Sequence, residues 1–244
     1  MKSASSASLF AGTRIWLWER PESWVLGISA CAWIYLIANG ILGVAHPSAG
    51  AHGSHGRDTW SVCLEWSVMI AAMMFPQLAG QLRTVAARSF WERRHRAMAL
   101  FLFGHLSLWL IYGLAVEVSL RLWPIEVFGT SSNMVPILFA IAALWELSPQ
   151  KRRSIVSCHW TMPLAPSGWR ANLDCFRYGL RIGASCCTSC WILMLVCAAT
   201  GHALWVLLIA TFVSWSERFL RQRPLALCSF MLLGVAVLLA ISNK

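Results

Sequence analysis

Long apolar runs broken by clusters of arginine constrain this chain more than any other feature. Runs near the roughly 20 residues that cover a bilayer core recur from Ser23 onward. Backbone groups inside lipid must find their hydrogen bonds within the segment, so helices are the expected form. Hydrophobic residues make up 58% of the chain and charged residues 12%, and mean hydropathy is +0.60. Both figures depart from soluble domains, in which about a quarter of residues are charged. The expected fold class is all-α, a polytopic transmembrane helical bundle of about seven spans, with about six as the alternative count.

The spans read at 23–44, 60–80, 97–120, 132–147, 178–200, 203–217 and 224–241. Residues 1–22 form an expected interfacial segment, with Trp16 and Trp18 among Arg14, Glu19 and Arg20. Residues 23–244 make a single bundle. Lys2 is followed by Ser and Ala and not by a continuous apolar core, so the first span reads as an uncleaved anchor. A cytoplasmic N-terminus leaves only Arg57, Arg121 and Lys244 outside, hence 17 of the 20 Lys and Arg inside. That asymmetry also accounts for the net charge of +10 without a nucleic-acid partner. The partner expected first is the lipid bilayer.

The fifth span carries the densest chemistry. At about 100° per residue, Cys186, Cys190, Met194 and Cys197 fall at about 0°, 40°, 80° and 20°, with Cys187 at about 100°. Soft thiolate and thioether donors suit Cu(I) first and zinc second. Packing is the competing reading, since cysteine is common in buried helices. Gly179 and Gly183 lie on the same face and predict close approach of another helix.

Glu65, Met69 and Met73 form one stripe on the second span. Pro76 leaves the Ala72 carbonyl without its helical donor and predicts a kink just below the methionines. His105 sits at about the depth of Cys186, roughly 12 Å into the third span. The candidate metal ligands are therefore Cys186, Cys190, Cys187, Met69, Met73 and His105. The histidine-bearing loop with His46, His52 and His55, together with Glu65, is a candidate metal entry. Cys158, His159 and Cys175, on a long basic loop, form a candidate cytoplasmic relay. Glu146 and Glu217 end spans beside arginines and read as solvated ion pairs.

Three segments resemble a family of unknown function described as predicted metal-binding integral membrane proteins of bacteria. They are Trp66-Ser-Val-Met-Ile-Ala-Ala-Met-Met-Phe-Pro76, Trp145-Glu-Leu-Ser-Pro-Gln-Lys151 with Cys158 downstream, and Gly179 to Met194. The sixth span closing with Glu217 also fits, and the likeness covers about residues 60–220. By this resemblance Met69, Met73, Met74, Lys151, Cys158, Cys186 and Cys190 match motif positions, whereas Ser189 stands where the pattern has a cysteine. The resemblance implies a multi-pass protein of the bacterial inner (cytoplasmic) membrane.

The function expected is binding or handling of a soft transition metal, copper before zinc, through intramembrane Cys and Met residues. Other membrane subunits or a metal-delivery protein are the expected protein partners. Two alternatives stay open. One is thiol–disulfide exchange through Cys187 and Cys190, relaying to Cys158 or Cys175. The other is a structural or assembly subunit with the sulfur stripe as a packing face.

Overall fold

The computed structural model describes residues 20–42, 59–122, 134–219 and 224–242. The helices are α1 (Ser23–Leu42), α2 (Thr59–Met73), α3 (Ala79–Ala87), α4 (Arg94–Leu122), α5 (Met134–Glu146), α6 (Pro149–Ser157), α7 (Gly168–Ala199), α8 (Leu204–Phe219) and α9 (Pro224–Ser242). Short 3-10 turns at Pro76–Leu78 and Trp91–Arg93 precede α3 and α4. No strand occurs among the described residues, so the all-α class holds.

The expected seven bilayer-length spans are not what the helix lengths give. Three helices are long and apolar enough to cross a membrane, at Ser23–Ile41, Trp91–Ser119 and Gly168–Ala199. A fourth crossing exists if α2 and the helical run Pro76–Ala87 count as one bent span. The fourth and sixth expected spans fall short: 13 residues of α5 and 16 of α8 reach only about 20 and 24 Å, against a core of about 30 Å. Both helices nonetheless keep apolar side chains exposed, Ile137 and Leu144 on α5 and Leu208 and Phe212 on α8.

The long basic loop is also largely helical. Pro149–Ser157 forms α6, and α7 begins at Gly168 instead of near residue 178. Ala171, Cys175 and Tyr178 are all buried and recur at i, i+4 and i+7, which is a helical stripe set in a polar stretch. The 32 residues of α7 therefore run about 48 Å.

Helices α4 and α7 form the most extensive interface, and glycine makes it possible. A Cβ on Gly179 would stand 2.1 Å from the Phe101 carbonyl oxygen, and one on Gly104 would stand 2.3 Å from that of Phe176. Each helix thus offers bare backbone to the other, as the Gly179/Gly183 pattern predicts. Phe101 and Tyr178 pack on each other beside this crossing, ring centroids 5.1 Å apart. Elsewhere α9 lies along α5, α1 on α2, and α6 folds back on α7.

Candidate metal centre

The bend after α2 creates one wall of the site. Pro76 has no N–H, so the Ala72 carbonyl loses its helical partner, and the two helical runs meet at 53°. The vacancy is filled from α1: Ser29 Oγ and Trp33 Nε1 donate to Ala72 O at 3.0 and 2.9 Å. The Gln77 N–H turns to Met74 O, at 3.1 Å, which frees the Met73 carbonyl. Gln77 Nε2 and Trp215 Nε1 donate to Met73 O instead, at 3.1 and 3.3 Å. Gln77 also donates to Ser214 Oγ at 2.9 Å, and its own carbonyl accepts from Arg218 Nη1 at 2.6 Å. Both of these released carbonyls have new donors. The bend is consequently a built feature tied to α1 and α8.

Met74 sits at the bend with its sulfur 3.8 Å from Cys186 Sγ. One turn on, the Cys190 thiol faces that of Cys186 and donates to Ser189 Oγ, 3.6 Å away. Three sulfurs from two elements are thus in buried contact. A narrow cleft beside them is bordered by Gln77, Ile155, Cys158, Cys186, Cys190, Glu217 and Arg218. Cys158, the residue after α6, faces the Arg218 guanidinium across the cleft. Burial pushes the Cys158 thiol above its usual value, with Arg218 opposing.

Beside the thiols lies a charged cluster absent from the sequence expectations. Lys151 hydrogen-bonds Glu146, and its Nζ lies 2.7 Å from Glu217 Oε1 at an angle too poor for a hydrogen bond. All three residues are buried, so Glu146 and Glu217 are not solvated ion pairs. The local sequence aims the lysine. Ser148 caps α6 by accepting from Lys151 N at 3.1 Å, and Pro149 starts the helix without needing an N–H. Lys151 then falls in the first turn, just beyond the end of α5, where Glu146 is waiting. Burial works against the ammonium, but Glu217, Cys190 and Glu146 outweigh it and raise its pKa, keeping Lys151 charged. Two Glu residues closing apolar helices, with Ser-Pro-x-Lys after the first, was the available signal.

The expected ligands separate when placed. Cys186 and Cys190 come together, and the methionine sulfur in contact with them is that of Met74, while Met69 and Met73 are buried in the core. Cys187, one residue off the stripe, is only half-buried. The Cys190 thiol faces that of Cys186, one turn away, and the nine cysteines are free thiols. His105 is fully buried against the α7 glycines, and neither ring nitrogen has a hydrogen-bond partner among the described residues. It lies about one turn from Cys186.

Of the relay trio only Cys158 borders the cleft. His159 is exposed, its Nδ1 bonded to Ile155 O at 3.0 Å, and Cys175 is buried lower on α7. Glu65 is half-buried on α2, and His46, His52 and His55 lie outside the described residues. No three His, Cys, Asp or Glu side chains among the described residues are grouped to hold a metal ion. What the site presents is two thiols and a thioether.

That donor set accords with the comparison to known families. A family model described as "Copper chaperone" (PpoB2) matches residues 63–241, more than half of the chain. The chain belongs to this family. No curated protein and no solved structure matches it. The matched region of this copper chaperone family member contains the bend, the cysteine stripe and all four charged residues beside it. The family's description agrees with the expectation of a soft metal and with copper before zinc.

Proposed function

We propose that the protein is a membrane-embedded copper chaperone that holds Cu(I) as cargo on Cys186 and Cys190, with Met74 as a thioether donor. The observation that carries this reading is the buried contact of three sulfurs beside a cleft that Cys158 borders. Such a soft, low-coordinate set suits Cu(I), whereas structural zinc takes about four nitrogen or sulfur ligands in a tetrahedron. Cys158 at the cleft is suited to receive or deliver the ion by exchange with a thiol-bearing partner. The three long apolar helices support insertion in a membrane, and resistance of the protein to alkaline extraction from membranes tests that half of the reading.

The ligand half is tested by copper binding to the purified full-length protein. Cys186→Ser with Cys190→Ser is expected to weaken Cu(I) binding by more than about a hundredfold, beyond what losing an outer-shell partner costs. Met74→Leu is expected to weaken it by roughly tenfold, since a thioether is the lesser donor. Unchanged copper affinity in the double cysteine variant would sink the proposal.

A further inference from the structure

The charged side chains around the thiols divide into two sets. Lys151 faces Glu146 and Glu217 and serves as counter-ion to both. Arg218, the neighbour of Glu217 in the chain, borders the same cleft, where the Glu217 carboxylate is held by Lys151. Its guanidinium donates to the Gln77 carbonyl at 2.6 Å and faces the Cys158 thiol at the cleft. The ionisable groups acting on it are first Cys186, Cys158 and Cys190, its charge also reaches His105, and no carboxylate forms an ion pair with it among the described residues. A partly buried guanidinium with no ion-paired carboxylate, bordering a cleft with three thiols whose one carboxylate, Glu217, is held by Lys151, is a cation placed for an anion that forms there.

The chemistry of loading says which anion. Each thiol that binds a metal ion releases its proton to water. A monovalent cation on two thiolates therefore leaves one net negative charge, and a divalent cation leaves none.

We propose that Arg218 is the fixed counter-charge of the loaded site, and that it makes the paired thiols select a monovalent soft cation over a divalent one. This rests on the reading that Cys186 and Cys190 hold the metal, and it adds a residue that sets specificity without touching the ion. The guanidinium is anchored by the kink itself, through the Gln77 carbonyl, so the bend in α2–α3 fixes both Met74 and the charge that balances the thiolates. Charge complementarity of this kind acts mainly on specificity.

The test compares Cu(I) and Zn(II) affinities, each against a competing chelator, in the full-length protein purified in detergent. Arg218→Gln is expected to weaken Cu(I) on the order of a hundredfold while moving Zn(II) by less than roughly threefold. Arg218→Lys keeps the charge and is expected to retain Cu(I) affinity within about tenfold. Equal losses for both metals, which a merely structural arginine would produce, or no loss for either, overturns the proposal. Should Arg218→Gln fail to fold, Arg218→Lys decides: a kept preference for Cu(I) supports the proposal, and a lost one overturns it. The copper reading fails separately, and takes this inference with it, if wild type binds no Cu(I) or the Cys186→Ser/Cys190→Ser variant binds it as well as wild type does.

Discussion

Lys151→Met is expected to destabilise the protein by about 3–5 kcal/mol, the usual result of stripping a buried ion pair of one member. The lysine is fully buried, and its ammonium is the counter-ion of both Glu146 and Glu217. Methionine fills much the same volume, so the loss is electrostatic and not a cavity. Glu146 Oε2 already lacks a hydrogen-bond partner, and without Lys151 neither carboxylate keeps its counter-ion. Thermal unfolding in detergent checks this: a fall of roughly 10 °C or more is expected for a chain of this size. The triple variant adding Glu146→Gln and Glu217→Gln removes the orphaned charges, and should recover most of the fall. A single variant as stable as wild type would show that the three side chains are not packed as described.

Gly179→Ala is expected to be nearly as damaging, although it adds one methyl group. That methyl would stand 2.1 Å from Phe101 O and 3.1 Å from the His105 nitrogen, both backbone atoms of α4 that cannot rotate away. Overpacking of this kind costs about 1–3 kcal/mol, and the rigidity of the obstacle puts this site at the upper end. The stripe that carries Cys186 and Cys190 lies on the same helix two turns further on, so parting α4 from α7 also loosens the sulfur cluster. Cu(I) affinity and thermal stability should therefore fall together. Gly80→Ala is the matched control: its added Cβ meets nothing within 4 Å, and alanine is the better helix former, so no loss is expected.

Much of this was legible in the chain, for reasons of period and covalent chemistry. Apolar runs dictate helices because unsatisfied backbone is costly away from water. Cys186 and Cys190 share a face because they are one turn apart, and Gly179 and Gly183 mark the close crossing because nothing larger fits. Pro76 broke its helix where the missing N–H required.

Only the tertiary structure decided the rest, because it depended on which helices became neighbours. Periodicity put Met69 and Met73 on one stripe, but the bend turned Met74 toward Cys186. Short α5 and α8 looked like full bilayer spans because apolar composition does not report where a helix ends. Glu146, Lys151 and Glu217 lie 5 and 66 positions apart along the chain. A charge at a helix end looks solvated until another element covers it. Here α6 folds back to supply the lysine and α8 brings the second carboxylate. The sequence by itself determined a helical chain with a soft-metal stripe. Long-range packing chose the third sulfur and left Arg218 facing the thiols, because neighbours distant in sequence leave no local period to read.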